Sequence, residues 1–143
     1  MQVLRTVLFI LFFLNMNAIY SQNIKSHRWE NRLLLILTDN IDSPVFKKQI
    51  IELNNHQKEL EERKIILYQI KKDGYKAGLL EHSDWQKTTE LYKTHKKTNT
   101  PFEVLLIGLD GGIKLRQSTL LTCKDLFAVI DVMPMRKSEI NNN

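Results

Sequence analysis

A single cysteine is the one thiol of this 143-residue chain. Cys123 stands between Thr122 and Lys124 at the predicted start of the last helix, where the helix terminus and the cation favour a lower thiol pKa. We nevertheless expect it to pack in the core, because free cysteines are among the most buried residues. The alternatives are a thiol that reacts with peroxide or forms a mixed disulfide, and an intermolecular disulfide. One cysteine excludes a two-cysteine redox motif, a disulfide framework and a zinc site built from cysteines.

Two further patterns carry candidate metal chemistry. Met133 and Met135 flank Pro134, and thioether sulfurs are ligands that soft metals prefer. The four histidines, at positions 27, 56, 82 and 95, show no ligand spacing. We therefore expect the methionines to pack against the edge of a sheet, and we predict neither a metal nor a cofactor.

Two short apolar runs predict the first two strands. Residues 33–37 and 64–70 are apolar almost without interruption, which is typical of strands buried on both faces of a parallel sheet. Between them, Pro44 suits the first position of a helix, with Asp42 or Ser43 as its cap. Four apolar residues then share one helical stripe: Phe46, Ile50, Leu53 and Leu60. This segment is a predicted right-handed strand–helix–strand crossover.

The second half of the chain predicts a helix, a hairpin and a closing helix. A loop at 73–78 leads to a capping box at 83–86, which starts a helix that continues to 95. Strands at 103–109 and 113–116 flank Asp-Gly-Gly at 110–112, whose glycines suit a tight turn. Thr122 caps the last helix and Pro134 ends it, leaving a polar tail at 137–143.

The order β-α-β-α-β-β-α predicts an α/β fold, a thioredoxin-like three-layer sandwich with a mixed sheet of about four strands. Pro101 precedes the third strand, where that fold often has a cis proline. The reactive thiol of such a fold stands at the start of the helix after the first strand. Residues 38–44 occupy that place and contain no cysteine, so dithiol exchange is excluded. Asp39 and Asp42 there are expected turn and cap residues, with a pair that binds a hard cation as the alternative.

The first 21 residues predict a secretory signal peptide. Arg5 precedes an apolar run of eight residues at 7–14, and small residues follow at Ala18 and Ser21. Such a run is too short for a bilayer core of about 30 Å, although an N-terminal anchor is the alternative. We place cleavage after Ser21, or else after Ala18. A short linker at 22–27 and one domain at 28–136 are then expected in the periplasm or outside the cell. The net charge of +5 is too small to predict nucleic-acid binding.

Four stretches of the sequence are familiar: 27–32 (HRWENR), 62–63 (ER), 106–116 (LIGLDGGIKLR) and 130–136 (IDVMPMR). Together they resemble the domain of unknown function numbered 4174, a family of small secreted bacterial proteins. The chain is also similar to the C-terminal module of sushi-repeat-containing extracellular proteins and to modules of a coiled-coil-domain-containing matrix protein. The resemblance implies a thioredoxin-like fold and no particular mechanism.

The same resemblance supplies the candidate binding residues: Arg28, Trp29, Arg32, Asp110, Lys114, Arg116, Asp131, Met135 and Arg136. The basic residues suit either internal pairs, such as Arg32 or Arg116 with Asp131, or a site for a carboxylate, sulfate or phosphate. An exposed tryptophan would mark a partner or sugar surface.

We expect a secreted binding module without dithiol chemistry. Its expected partner is an extracellular or envelope protein, or an anionic polymer. We further expect Arg116→Ala or Arg136→Ala to weaken that interaction and leave the fold intact. The alternatives are a peroxiredoxin-like enzyme with Cys123 as its thiol, a hydrolase that uses Asp and Arg groups, and a purely structural envelope protein.

Overall fold

The computed structural model describes residues 24–142, so the predicted signal peptide at 1–21 lies outside the described residues. The strands are β1 (Arg32–Thr38), β2 (Ile65–Lys71), β3 (Gly74–Ala77), β4 (Gln86–Lys87), β5 (Phe102–Ile107) and β6 (Ile113–Gln117). The α-helices are α1 (Pro44–Asn54), α2 (Gln57–Glu62), α3 (Glu90–His95), α4 (Cys123–Asp131) and α5 (Pro134–Asn141). A 3-10 helix at Ile24–His27 precedes β1.

The strands of the described residues form one mixed sheet in the order β4-β3-β2-β1-β5-β6. β1 and β2 are parallel, whereas β5 and β6 are antiparallel to their neighbours. Leu34 lies beside Leu67 on one side and Leu106 on the other, so β1 is at the centre and is buried on both faces. This confirms the predicted α/β, thioredoxin-like arrangement, with two more strands than expected.

Helices cover the two faces of the sheet unequally. One face carries the larger core, in which Leu53 of α1 and Leu126 of α4 pack against Leu34 and Val104. The opposite face carries Leu35, Tyr68, Tyr75 and Leu105, with side chains of the 3-10 helix and α3 packed against them. The layers are therefore helix, sheet and a thinner helical cover.

Two helix caps form as expected. Ser43, rather than Asp42, caps α1, because its Oγ accepts a hydrogen bond from Phe46 N–H at 3.4 Å. The Thr122 hydroxyl accepts from Asp125 N–H at 3.1 Å and caps α4. Every peptide bond of residues 24–142 is trans, that before Pro101 included. In the same residues no helix is long and apolar enough to cross a membrane.

The helix predicted from the capping box at 83–86 does not form there. The Ser83 hydroxyl instead donates to Leu80 O at 2.8 Å, and the helix begins only at Glu90. The predicted loop at 73–78 contains β3, which places Tyr75 in the core beside Ile70. Antiparallel pairing of β3 with β2, and of β4 with β3, therefore outweighs the local helix signal.

Both ends of the described chain are more structured than expected. Residues 24–27 of the predicted linker form the 3-10 helix, and Ile24 packs against the core. α4 ends at Asp131, and Met133 before Pro134 is extended, as expected. Pro134 is also the first residue of α5, a position at which proline needs no N–H partner. The predicted tail at 137–143 is thus largely helical, and Glu139 within it is ion-paired.

Candidate functional site

The turn between β5 and β6 is the centre of the candidate site. It closes through Gly108 N–H to Gly112 O at 2.8 Å and Gly111 N–H to Gly108 O at 3.0 Å. Gly111 has φ +81°, a conformation that glycine adopts without steric cost. Asp110 accepts from Lys114 Nζ at 2.7 Å and from Gly112 N–H at 2.9 Å, and these bonds, Lys114 first, lower the pKa of its carboxyl. The turn thus holds Asp110 and Lys114 together.

Arg28 and Trp29 form an exposed corner beside this turn. Trp29 is 59% exposed and has φ +70°, which is strained for a bulky side chain. Its N–H donates to Leu109 O at 2.6 Å, which holds the residue against the end of β5. The Arg28 guanidinium lies 5.3 Å from the centre of the Trp29 ring, within range of cation–π attraction. Arg28 has no carboxylate partner among residues 24–142.

Arg32 is the buried cation of the site. Its side chain is 1% exposed, although it starts the central strand. Nη1 donates to Arg63 O at 2.9 Å and lies 3.2 Å from both carboxylate oxygens of Glu139. Nε and Nη2 are buried and have no hydrogen-bond partner among the described residues. A buried guanidinium with two unsatisfied N–H groups is uncommon, because each such group carries a desolvation cost.

Arg32 lines a cavity of about 280 Å³ at the end of the sheet. Leu109 and residues 133–135 form an apolar wall, and Asp110 and Lys114 line the hairpin side. Met135, which was expected to pack against a sheet edge, lines this cavity and is 40% exposed. The cavity combines a buried cation, an apolar wall and a second cation beside an acid.

A larger cavity of about 580 Å³ also borders the hairpin. It is lined by Arg28, Gly111, His27 and His95, among others. His27 Nε2 lies 2.9 Å from the Tyr68 hydroxyl, which fixes the imidazole over the thinner face of the sheet. Burial, followed by the charges of two nearby cations, lowers the pKa of His95. Arg28 is the cation at this cavity that has no acidic partner in the described chain.

Asp131 and Arg136 belong to an ion-pair network beside the cavity. The Asp131 carboxylate receives both Nε and Nη2 of Arg63, at 2.9 and 2.7 Å, and this pairing lowers the pKa of Asp131. Arg136 lies 3.5 Å from Asp131 and 3.3 Å from Glu139, and it donates to Glu62 O at 3.0 Å. The expected partners of Asp131, Arg32 and Arg116, therefore pair with other acids. Asp131 and Arg136 therefore join α4 and α5 to the end of α2, at Glu62 and Arg63.

Arg116 pairs with a buried acid of the sheet. Glu103, on β5, is fully buried and accepts hydrogen bonds from Arg116 Nη1 and from Thr98 Oγ1 at 3.2 Å. Burial raises the pKa of Glu103, but the Arg116 hydrogen bond and charge outweigh it, so the net pKa is lowered. Lys96 lies 3.8 Å from the same carboxylate. Arg116 lines neither cavity at the hairpin.

The redox position of the fold lies at the opposite end of the sheet. Thr38, which ends β1, pairs with Phe102, whereas Leu33 pairs with Ile107 at the hairpin end. Asp39 accepts a hydrogen bond from the Tyr92 hydroxyl, and burial followed by this bond raises the pKa of Tyr92 to about 12. Asp42 forms an exposed pair with Lys47. The two aspartates thus have separate partners.

Cys123 is fully buried at the start of α4. Its thiol donates to the backbone oxygen of Glu52 at 3.7 Å. Burial, followed by the carboxylates of Glu52 and Glu59, raises the pKa of the thiol to about 12. Cys123 thus packs in the core, as expected. The helix terminus and Lys124 do not lower its pKa, because Lys124 is exposed and the charged groups that act on the thiol are acids.

Most of the candidates converge at one end of the molecule. The hairpin end contains Arg28, Trp29, Arg32, Asp110, Lys114 and Met135. Arg116, Asp131 and Arg136 line neither cavity and are held in ion pairs. Two residues outside the candidate set hold Arg32, namely Arg63 through its backbone oxygen and Glu139 through its carboxylate. Proline at a first helical position was the signal for the helix that carries Glu139.

The family model for the domain of unknown function DUF4174 matches residues 23–139. This chain belongs to the DUF4174 family. The match covers every residue of the hairpin end and includes Glu139 at its limit. No curated protein sequence matches the chain.

A solved structure with the same fold is that of the reduced 2-Cys peroxiredoxin of Plasmodium vivax. The alignment covers 81% of this DUF4174 chain and 85% of the peroxiredoxin chain, with a TM-score of 0.58. The sequence identity is 13%, so the likeness concerns the thioredoxin-like fold alone.

Proposed function

We propose that this DUF4174 domain is a binding module that takes a carboxylate-bearing segment of another extracellular or envelope protein at the hairpin end. The observation that carries the proposal is Arg32, which lines the smaller cavity and whose Nε and Nη2 have no hydrogen-bond partner among residues 24–142. These two N–H groups form one edge of the guanidinium and match the two oxygens of a carboxylate. A buried donor without a partner costs about 1–3 kcal/mol, so an incoming carboxylate that satisfies both is favoured.

The surroundings of Arg32 suit an acidic side chain or chain terminus. Leu109, Met133 and Met135 offer apolar contact to the carbon atoms that bear the carboxylate. Lys114, which is paired with Asp110, supplies a second cation on the hairpin side. Outside the cavity, the exposed Trp29 ring and the Arg28 guanidinium provide a surface for the rest of the partner, since tryptophan and arginine are enriched at such interfaces.

A peroxide-reducing enzyme is less compatible with this site. Cys123 is fully buried, the pKa of its thiol is raised to about 12, and thiolates rather than thiols react with peroxide. Residues 38–44, at the redox position of the fold, contain no cysteine. The solved peroxiredoxin therefore supports a common fold and supplies no reaction for this chain.

The proposed location is the periplasm or the outside of the cell. The basic, apolar and small-residue pattern of residues 1–21 supports secretion, with cleavage after Ser21. The resemblance to modules of sushi-repeat-containing and matrix proteins agrees with a binding role outside the cytoplasm. Mass spectrometry of the chain purified from the periplasm and from the medium tests both the location and the cleavage point.

The binding proposal is tested with the secreted protein and a fluorescein-labelled oligo-glutamate peptide, followed by fluorescence anisotropy. An oligo-glutamine peptide of equal length is the neutral control, and heparin is the polymer probe. Met135→Glu places a negative charge at the cavity wall and should weaken peptide binding about tenfold or more, or about 1.4 kcal/mol. Val132→Glu, at an exposed residue outside the cavity lining, is the matched control and should bind like the unmodified chain.

Arg32→Lys examines the buried cation itself. The variant keeps the positive charge and removes the two parallel N–H donors at Nε and Nη2. Peptide binding should therefore weaken about tenfold, as for Met135→Glu, while the circular dichroism spectrum stays native. Equal binding by Met135→Glu and Val132→Glu contradicts the proposal. Binding of heparin without binding of the glutamate peptide instead supports an anionic polymer as the partner.

A further inference from the structure

Three potential metal ligands meet between α1 and α4, on the helical face of the sheet that carries the larger core. Glu52 is in α1, His56 caps α2, and Cys123 is the first residue of α4. One ligand atom from each, a carboxylate oxygen, a ring nitrogen and the sulfur, lies within 4.8 Å of the other two. These residues line neither cavity at the hairpin end. We propose that Glu52, His56 and Cys123 form a binding site for Zn²⁺.

The ligand types select the metal. Thiolate, imidazole and carboxylate are the three protein ligands that Zn²⁺ takes, whereas Ca²⁺ and Mg²⁺ prefer sites made of oxygen. Zinc bond lengths place two ligand atoms of a tetrahedral site about 3.5 Å apart. His56 Nδ1 already lies 4.0 Å from Glu52 Oε1. A small rotation of Glu52 or His56, both partly exposed, therefore closes the site around an ion.

The backbone on both sides of the cluster is fixed. Gln49 is fully buried. Its side-chain amide holds the backbone of Leu121 through two hydrogen bonds, donating to Leu121 O at 2.9 Å and accepting from Leu121 N–H at 2.8 Å. Cys123 N–H donates to Glu52 Oε1 at 2.8 Å, so the start of α4 is held directly against the proposed ligand. Pre-positioned ligands lower the ordering cost of metal binding.

The imidazole is oriented as well. The ring of His56 stands edge-on to Phe127 with centroids 6.3 Å apart. Its Nδ1 lies 2.8 Å from the backbone oxygen of Glu52, a contact that Nδ1 exchanges for the ion when it becomes a ligand. The Glu52 and His56 side chains are 29% and 36% exposed, while Cys123 is buried behind them. An ion therefore enters from solvent through Glu52 and His56 and reaches the sulfur last.

Three protein ligands leave one position of a tetrahedral ion for a water molecule. The thiol proton leaves to solvent as the zinc–sulfur bond forms, and no electron is transferred. The site is therefore a coordination site and requires no oxidant or reductant. Glu59 follows His56 by three residues in α2 and supplies further negative charge next to the thiol.

The test is titration of the untagged secreted protein with Co²⁺ and with Zn²⁺. Cobalt bound to a thiolate gives a near-ultraviolet charge-transfer band that carboxylate or imidazole ligands do not give. We expect this band to saturate at one Co²⁺ per chain and to disappear when Zn²⁺ is added. Calorimetry should give one Zn²⁺ per chain, and bound Zn²⁺ should raise the thermal midpoint, because it favours the folded state.

Variants separate this site from adventitious surface binding. Cys123→Ser should abolish the band, and His56→Gln should weaken Zn²⁺ binding by about tenfold or more. His82→Gln changes an exposed loop histidine and should leave both signals unchanged. Because Cys123 is buried, His56→Gln provides the test on a partly exposed residue if Cys123→Ser unfolds. Absence of the band with the unmodified chain, or His56→Gln that binds Zn²⁺ as tightly as His82→Gln, overturns the proposal.

Discussion

Arg32 and Glu139 are 107 residues apart in the chain, and Nη1 of Arg32 lies 3.2 Å from each carboxylate oxygen of Glu139. The pair joins the last helix to the start of the central strand. It also provides the negative charge that a guanidinium with 1% exposure requires. The position of the cation at the cavity thus depends on a helix from the opposite end of the sequence.

Glu139→Gln should lower the free energy of unfolding by about 3 kcal/mol, because it leaves the buried Arg32 without a full countercharge. Urea denaturation followed by circular dichroism measures the change. Glu81→Gln is the matched control at an exposed loop position and should alter stability by about 0.5 kcal/mol or less. Equal midpoints for the two variants would show that α5 does not hold Arg32.

Arg116→Ala should destabilise the fold, contrary to what the sequence resemblance led us to expect. It leaves the fully buried Glu103 with a lost hydrogen bond and a lost positive charge, a change that costs about 3–5 kcal/mol in other buried pairs. Arg28→Ala removes an exposed arginine without a described acidic partner and should change stability by about 0.5 kcal/mol or less. Thermal unfolding of both variants decides whether Arg116 is structural.

Much of the fold follows from local patterns, because these patterns report burial directly. The apolar run at 33–37 has no exposed side, and only a central strand suits it. The capping box at 83–86 misleads because serine satisfies its hydroxyl equally well in a turn, and β3 and β4 each form by antiparallel pairing with the strand that precedes them. A four-residue cap signal cannot rank a helix against such pairing.

The candidate site is recoverable from sequence only in part. Arg32, Asp110 and Lys114 are within stretches that resemble the family, so they are found without coordinates. Glu139 is missed because a polar segment after a proline reads as a tail. The cluster of Glu52 and Cys123 is missed because 71 residues separate the two, and no spacing rule joins residues so far apart.

Acid should weaken the fold through the three arginine-paired carboxyls whose pKa is lowered, those of Glu103, Asp131 and Glu139. The pKa of the exposed Asp110, paired with Lys114, is lowered too. For Glu103 and Glu139, burial alone would raise the pKa, and their arginine partners reverse the sign; for Asp131, the hydrogen bond from Arg63 is the largest influence. The unfolded chain then binds more protons than the native chain as the pH falls. Stability is therefore complete above the usual carboxyl pKa values of 3.8 to 4.5 and is lost as the pH falls through the native values.

Urea denaturation at several pH values between about 7 and about 3 measures this loss. Glu139→Gln removes one of the three groups, so its stability should vary less steeply with pH than that of the unmodified chain. A free energy of unfolding that rises on acidification would contradict the assigned direction of the three pKa shifts.

Cys123 should resist alkylation in the native protein. Its side chain is fully buried, so the reagent cannot reach the sulfur. The pKa of the thiol is raised to about 12, so little of the reactive thiolate is present near neutral pH. Iodoacetamide labelling of the metal-free protein, followed by mass spectrometry, should be slow near neutral pH and become fast in urea. Rapid labelling of the folded chain would restore the peroxiredoxin-like alternative.

Trp29→Gly should be more stable than Trp29→Ala by about 1 kcal/mol. The residue has φ +70°, where a Cβ is strained and glycine is not, so the difference between the two variants reports the strain at this position. The side chain is 59% exposed, and both variants lose its contacts equally. Urea denaturation gives the two free energies of unfolding. Equal stability of the variants would mean that the backbone at residue 29 relaxes to negative φ. Weaker binding of the glutamate peptide by both variants would show that the exposed indole ring contributes to binding at the hairpin end.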